Sequence, residues 1–294
     1  MCSRIRALYG ISAPAKLNLF LHVTARRADG YHLLESVFTL IDWQDTLHFE
    51  MRGDARITRE ILPTSTVALP EDPQADLSVR AALALQQASA CGRGVHISVD
   101  KHIPTQAGLG GGSSNAASTL LALTRLWNLH LSRAQLQQLA LQLGADVPFF
   151  LCGSAAAWVA GIGDAITPLQ GAAALPRQRL IVVKPAAGLE TARIFAAPAL
   201  TRNAPPASLH AFAQNPWGYG HNALQSVAEA LQPQVRQARR WLQAAHLHPR
   251  MTGSGSAVFA PLPSGSALTG GCCLPAGWRS RICYNLDAHP LDAW

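Results

Sequence analysis

Charge is scarce in this chain: Asp, Glu, Lys and Arg make up 14% of its 294 residues, against about 25% in an ordinary globular protein. Hydrophobic residues reach 49%, and mean hydropathy is +0.11. Yet no run of about 18 to 20 uninterrupted apolar residues occurs, which excludes a plain membrane span and leaves a soluble chain as the expectation. No C-x-x-C spacing occurs among the six cysteines, Cys2, Cys91, Cys152, Cys272, Cys273 and Cys283. A zinc cage or disulfide framework is therefore not expected, and buried or incidental thiols are. Residues 1–19 hold no apolar core of signal-peptide length, so a cytoplasmic setting is expected. There is no internal repeat and no excess of glycine or proline, which excludes collagen-like and disordered readings.

Basic residues are in surplus, with a net charge of +7 and a pI near 9.4. They never form a run of five, and the same charge that would suit a nucleic-acid binder would equally attract a nucleotide or another polyphosphate. Only three of the 24 basic residues are lysines, namely Lys16, Lys101 and Lys184. The length suits about two domains.

The opening segment Ala15–Leu21 alternates as a strand and puts Lys16 and Asn18 on one face. Two β-like runs, Ser36–Ile41 and Thr46–Met51, follow the turn signal Ala28-Asp29-Gly30, and Pro63 and Pro70 mark a long loop. A helix is predicted over Asp76–Ala90 and a strand over Val95–Val99. The segment Lys101–Ala117 then reads as strand end, glycine-rich loop and helix, with Ala116, Leu120, Leu123 and Trp127 on one helical face. A second helix should end near Gly144, Asp146-Val147-Pro148 opens a turn, and Ser154–Leu169 reads as strand, turn and strand. The Ala/Gly/Pro stretch Gln170–Pro176 suggests a domain boundary. Beyond it we expect a buried strand at Leu180–Val183 and helices near Thr191–Phe195, Asn222–Leu231 and Gln234–Ala245. A glycine-serine turn within Met251–Phe259 and a final strand over Ser280–Leu286 complete the reading.

Chemistry concentrates in the glycine loop. Gly108, Gly110, Gly111 and Gly112 let backbone amides approach an anion, and the following helix adds unpaired N–H groups and the positive end of its dipole. Ser113 and Ser114 can cap that helix or meet phosphate and a magnesium ion. No lysine follows the glycines, so this is not a G-x-x-x-x-G-K-[ST] loop, and a cation must come from elsewhere in the fold. Taken singly, other residues stay ambiguous. Asp146 suits a cap or turn, Lys16 an edge-strand charge, Tyr31 and His32 a turn aromatic and a solvated histidine, and Phe195 a helix core.

PTQAGLGGGSSNAA resembles the second signature motif of the GHMP kinases, and APAKLNLFL and MTGSGSAVFA resemble the first and third, in the right order. Within that superfamily AKLNLFLHVTARRADGYHLLESVFTLID, GADVPFFL, TARIF and LDAHPL resemble the family acting on 4-diphosphocytidyl-2-C-methyl-D-erythritol, over essentially the whole chain. The resemblance implies an α+β, two-lobed fold with the active site in the cleft, residues 1–165 forming the N-terminal ATP-binding lobe and 166–294 the C-terminal one. It implies transfer of the γ-phosphoryl group of ATP, handled with Mg2+, to the 2-hydroxyl of that cytidine-diphosphate-linked methylerythritol, in the methylerythritol phosphate route to isoprenoid precursors. Neither nucleic acid nor membrane is an expected partner.

Residue by residue, the resemblance makes Asp146 the base and Lys16 the cation, and gives the nucleotide Pro104, Gly108, Leu109, Gly110, Gly111, Gly112, Ser113, Ser114 and Asn115. Tyr31 and Phe195 would stack on the cytosine, His32 would read its edge, and Asn18 and Thr191 would bond the methylerythritol part. Gly253–Ser256 would border the cleft. Ser114 is the candidate magnesium ligand. Four features depart from the family pattern: Gln106 in place of glycine, Ala223 in place of an acid, Asp76 near the adenine, and a helix eroded over residues 261–277. Two rivals are a GHMP kinase with another acceptor and a non-catalytic nucleotide- or nucleic-acid-binding module.

Overall fold

The computed structural model describes residues 5–263 and 274–294. Its spine is a long antiparallel hairpin of β1 (Ala7–Arg26) and β2 (His32–Arg52). The two runs expected at 36–41 and 46–51 are one strand, because the polar residues between them are satisfied inside the fold. Asp45 is fully buried, accepting from the amides of His102 and Ile103 and from Lys101, and Trp43 Nε1 donates to the His102 carbonyl.

The first sheet continues with β3 (Ile57–Ile61), β4 (Gly94–Asp100), β5 (Ala156–Gly161) and β6 (Ala165–Pro168), in the order β3-β4-β2-β5-β6, with β1 paired to β2. The strand β3, between the run ending at Met51 and the loop marked by Pro63, was not foreseen from sequence. It is a short edge strand parallel to β4, and its charged Arg59 and Glu60 obscure the β pattern. Four helices, α1 (Leu77–Ala88), α2 (Gly111–Leu126), α3 (Arg133–Leu143) and α4 (Val147–Phe150), share one core with this sheet. Leu47 and Phe49 of β2 and Val95, Ile97 and Val99 of β4 meet Leu85, Leu120, Leu123, Trp127 and Phe150 there. Asp76, at the N-cap of α1, accepts from Ser78 N at 2.8 Å, so the helix begins one residue later than predicted.

The second sheet has the order β10-β7-β9-β8, formed by β7 (Arg179–Lys184), β8 (Arg250–Met251), β9 (Val258–Pro261) and β10 (Arg279–Tyr284). The continuous apolar run of β7 is explained by burial on both faces. Leu180 and Val182 pack toward Leu17, Leu19, Phe20 and Ile41 of the hairpin, whereas Ile181 and Val183 pack toward the helices α5 (Thr191–Ala196), α7 (Gln225–Leu231) and α8 (Pro233–Ala244). The short α6 (Leu209–Gln214), not foreseen from sequence, contributes the fully buried Phe212 to the inter-sheet core. The helix expected from Asn222 starts at Gln225, since Asn222 donates its amide to the carbonyls of Met251 and Gly253, both at 2.8 Å. The final strand stops at Tyr284, and Leu286 N bonds Leu40 O of β2 at 3.0 Å.

Cys91, Cys152 and Cys283 are free thiols, and burial, aided by Asp42, pushes Cys283 up to about 12. Cys2, Cys272 and Cys273 lie outside the described residues, as does residues 264–273 of the eroded helix. Among the described residues no helix is long and apolar enough to cross a membrane.

Candidate active site

The site starts on β1. The β1–β2 register slips between Pro14 and Ala15 and again between Asn18 and Leu21, and such irregularities free a strand's backbone and re-aim its side chains. Here Lys16 N bonds Leu109 O of the glycine loop at 2.9 Å, and Leu21 N bonds His221 O at 2.9 Å. Asn18 N bonds Thr252 Oγ1, also at 2.9 Å. Lys16 is 2% exposed, which removes the edge-strand reading. Its Nζ donates to Asn18 Oδ1 at 2.5 Å, lies 3.2 Å from Asp146 Oδ2 and sits 4.5 Å from the Phe38 ring centroid. The shared face predicted for Lys16 and Asn18 is present. Asp146 occupies the N-cap position of α4, but its side chain makes no capping hydrogen bond. That leaves the carboxylate, 35% exposed, to the lysine and the cleft.

The glycine loop closes over this pair. Gly110 is the N-cap of α2 in the left-handed region, with φ +69°, and no side chain caps the helix. The first-turn amides therefore stay free for an anion. A Cβ on Gly110 would stand 3.0 Å from both Lys16 Cγ and Phe150 Cζ, so only glycine brings the helix start this close to the lysine. Gly108, at φ +73°, is pinned against the Thr252 carbonyl, 2.2 Å from where its Cβ would be.

One cavity of about 710 Å³ runs from Lys16, Asn18, Gly108, Ser113 and Asp146 to Tyr31, His32, Thr191 and Phe195, with Gly253 and Ser254 on its wall. At its far end the His32 and Phe195 rings lie 5.0 Å apart at 32°, and Tyr31 is 61% exposed. Thr191 Oγ1 and Ser254 Oγ are 2.7 Å apart. Burial foremost, then the cations Arg202 and Arg26, hold His32 below the usual imidazole range. The cavity thus joins a carboxylate–ammonium pair and an anion-ready helix terminus to an aromatic slot.

Comparison with known proteins agrees with this geometry. Residues 76–154 match the GHMP kinases N terminal domain and residues 197–269 the GHMP kinases C terminal domain. The 4-diphosphocytidyl-2-C-methyl-D-erythritol kinase of Delftia acidovorans (strain DSM 14801 / SPH-1) is 60% identical over 290 residues, covering 99% of this chain and 98% of its own. That of Acidovorax sp. (strain JS42) is 58% identical, at 99% of each chain. The chain belongs to the 4-diphosphocytidyl-2-C-methyl-D-erythritol kinase family. A crystal structure of a 4-(cytidine 5'-diphospho)-2C-methyl-D-erythritol kinase superposes with a TM-score of 0.76 at 32% identity, covering 95% of this chain and 98% of that one. The homoserine kinase from Cytophaga hutchinsonii, at 12% identity and a TM-score of 0.64 over 98% of this chain and 96% of that one, shares the fold.

Set within a kinase of this family, the sequence candidates fall into three groups. Lys16, Asn18, Asp146, Gly108, Ser113, Tyr31, His32, Thr191 and Phe195 line the main cavity. Leu109, Gly111, Ser114 and Asn115 are buried beneath it, Gly110 packs on Lys16, and Gly112 packs on Leu77. Pro104 lines a separate cavity of about 230 Å³ with Thr105, Gln106, Lys184 and Arg279. Ser114 Oγ is buried without a hydrogen-bond partner, while Ser113 carries the hydroxyl that faces the cleft.

Of the departures, Gln106 keeps the backbone of the absent glycine, with φ +51°, and packs its side chain on Gly188. Ala223 is core. Asp76 caps α1 and lies 3.5 Å from Arg59. Four supporting residues escaped the sequence reading. Ser36 accepts from Asn18 Nδ2 at 3.0 Å, Phe38 lies under Lys16, Thr252 ties β1 to the third motif, and Arg202 reaches His32. Ser36, Phe38 and Thr252 stand inside the family-like segments without being distinguished there, and Arg202 stands in none of them. Lys101 and Lys184, notable for rarity, are structural: Lys101 pairs with buried Asp45, and Lys184 bonds the carbonyls of Pro185 and Ala187 at 2.7 and 3.0 Å.

Proposed function

We propose that this kinase transfers the γ-phosphoryl group of ATP to the 2-hydroxyl of 4-diphosphocytidyl-2-C-methyl-D-erythritol, with Asp146 as base and Lys16 as cation. The observation that carries the reading is the single cavity joining the Lys16–Asp146 pair to the Tyr31, His32 and Phe195 aromatics. A tertiary alcohol needs its proton taken as it attacks, and Asp146, exposed to the cleft, accepts it. The alcohol oxygen bonds Pγ, the Pγ–O bond to ADP breaks, and the charge spread over the transferring oxygens meets the Lys16 ammonium and the free amides at the start of α2. Burial of Lys16 against Phe38 and Asn18 fixes its ammonium before substrate arrives, so little reorganisation attends the reaction.

Tyr31 and Phe195 offer faces for the cytosine, His32 a polar edge, and Asn18 and Thr191 hydroxyl partners for the methylerythritol. Pro104, on the outer side of the glycine loop, belongs with the adenosine end of ATP. The donor set suits Mg2+ carried by the nucleotide, since Ser113 and the orphaned Ser114 hydroxyl stand at the α2 terminus and no cluster of three metal-ligating side chains occurs among the described residues. When bound, the ion supplies charge neutralisation on the phosphate oxygens. We place the lobe boundary near residue 165, between the family matches at 76–154 and 197–269, and the enzyme in the cytoplasm, where its ATP is.

The test is phosphate transfer from ATP and magnesium, with mevalonate, homoserine and the uridine analogue as competitors. Transfer to the cytidine substrate alone, with kcat reduced about 10²- to 10⁴-fold in Asp146→Asn, is the expected result. Transfer to another acceptor, or ATP binding without transfer, overturns the reading.

A further inference from the structure

Arg202 lies outside every motif, yet it bridges the two sides of the aromatic slot. Its Nε donates to His32 Nε2 at 2.9 Å, across 170 residues of sequence. Its two terminal nitrogens donate to the carbonyls of Leu200 at 2.9 Å, Phe195 at 3.1 Å and Ala197 at 2.9 Å. One guanidinium thus holds the end of α5, which carries Phe195, against the imidazole at the start of β2. No group among the described residues bonds His32 Nδ1, and the ring lines the cavity.

A guanidinium has donors and no acceptor and does not deprotonate in proteins. The His32 nitrogen that meets it must therefore present a lone pair, and the ring proton must sit on Nδ1. Without Arg202 the imidazole is free to move its proton to Nε2 and offer a lone pair at Nδ1. The consequence lies in the base. The edge of cytosine carries acceptors at N3 and O2, whereas uracil carries a donor at N3. Directed at N3, a fixed Nδ1–H matches the first and opposes the second, O2 being an acceptor in both; a ring free to exchange tautomers accommodates both.

We propose that Arg202 is a specificity-determining positioning residue, which locks His32 as an Nδ1–H donor and so makes the enzyme select a cytidine over a uridine nucleotide. This rests on the reading that a cytosine ring enters the slot between Tyr31 and Phe195. The depressed basicity of His32 fits the same arrangement, because burial first and then the neighbouring guanidinium oppose a second ring proton. Opposing two donors costs one unmade hydrogen bond, about 5- to 150-fold in binding.

The test pairs kinetics with spectroscopy on the full-length enzyme. Two-bond ¹H–¹⁵N correlation spectra of the free protein, with His32 assigned by its loss in His32→Asn, should show the Nδ1–H tautomer in the wild type and the Nε2–H form or a mixture in Arg202→Ala. The ratio of kcat/KM for the cytidine substrate over its uridine analogue should narrow about tenfold or more in Arg202→Ala, mainly through KM, with kcat for the cytidine substrate within about threefold. Arg202→Lys keeps a donor that cannot accept but loses the fork onto the α5 carbonyls. Its selectivity should follow whichever tautomer its spectrum shows, and this variant decides the matter should Arg202→Ala not fold. An Nε2–H tautomer in the wild type overturns the proposal. So does a selectivity unchanged after the tautomer has shifted, or lost while the tautomer is kept, since a merely structural arginine gives that result. A wild type that already accepts both nucleotides refutes the cytosine reading itself, and is told apart because no variant is needed to see it.

Discussion

Lys16→Met separates what this lysine does for the fold from what it does for the reaction. Its side chain is 3% exposed, so its methylenes already count as core and Met preserves their packing. The substitution removes contacts with Asp146 at 3.2 Å, Asn18 at 2.5 Å and the Phe38 ring at 4.5 Å. Asp146, with 35% of its side chain exposed, regains water. Asn18 Oδ1 is left without a donor, a loss of about 1–3 kcal/mol. Against this, the ammonium no longer has to be taken out of water, a cost of several kcal/mol for a buried ion, and the exposed Asp146 carboxylate is not left as an uncompensated buried charge. The two nearly cancel, so stability should stay within about 2 kcal/mol of wild type, a Tm change of less than about 8 °C for a chain this size. On the proposed mechanism catalysis has no such compensation, because the cation assigned to the transferring phosphoryl group is gone. kcat should fall at least about 10²-fold, equivalent to about 2.7 kcal/mol of transition-state stabilisation. Calorimetry and a coupled ADP-release assay on one preparation decide the matter. A folded variant with kcat within tenfold of wild type refutes the catalytic role, and a Tm loss well beyond 10 °C shows that the lysine is structural.

Three further outcomes follow from the geometry. Phe195→Ala should raise KM for the cytidine substrate about 5- to 150-fold, the worth of one base–aromatic stack, with kcat little changed; a fall in kcat at constant KM in steady-state kinetics would remove Phe195 from the base. Gly108→Ala sets a Cβ 2.2 Å from the Thr252 carbonyl at φ +73°, so the left-handed penalty of about 1–2 kcal/mol adds to overpacking of about 1–3 kcal/mol, and thermal melts should show a loss of several degrees together with weaker ATP binding. His22 is 6% exposed with neither ring nitrogen bonded, and burial first, then His221 and Arg250 against an opposing Glu35, lowers it from its ordinary 6.5. Since the folded state resists a proton that the unfolded chain accepts near pH 6.5, stability is complete above that pH and declines as pH falls below it; His22→Phe should flatten the slope of Tm between about pH 7 and 5, and an unaltered slope assigns the effect to His32 or His289, which are also lowered.

Much of this architecture was legible because local pattern and burial agreed. Alternation placed Lys16 beside Asn18, the glycine-serine loop announced a helix start open to anions, and the apolar run of β7 announced a strand covered on both faces. Legibility failed where polar residues are satisfied by distant partners. Asp45 hid the continuity of β2 because the amides that solvate it lie more than fifty residues away. Asn222 reads as helix but is held outside it by carbonyls of the third motif. The strand β3 gave no β signal because an edge strand carries the charges of Arg59 and Glu60. At the site the same rule holds: Ser36 and Phe38 lie in a family-like segment but only their contacts with Asn18 and Lys16 single them out, and Arg202, bonded to His32, carries no local signal.

The irregular register of β1 shows why these distant contacts are part of the machinery. In a regular antiparallel pair every second backbone group of β1 would be spent on β2. Between and just beyond the two slips, three amides of β1 bond other segments: Lys16 N the glycine loop, Asn18 N Thr252 of the third motif, and Leu21 N His221, while the Leu21 carbonyl accepts from Ala223 N. The strand that carries the ammonium is thus hydrogen-bonded to the glycine loop proposed to receive phosphate and to two segments of the other lobe. Because side chains alternate with period two, a one-residue slip would turn Lys16 and Asn18 away from Asp146 while aligning β1 with none of these carbonyls. Backbone bonding to three separate segments therefore selects the register that faces the lysine to the cleft, so the position of its ammonium is set by the closure of the whole fold around β1.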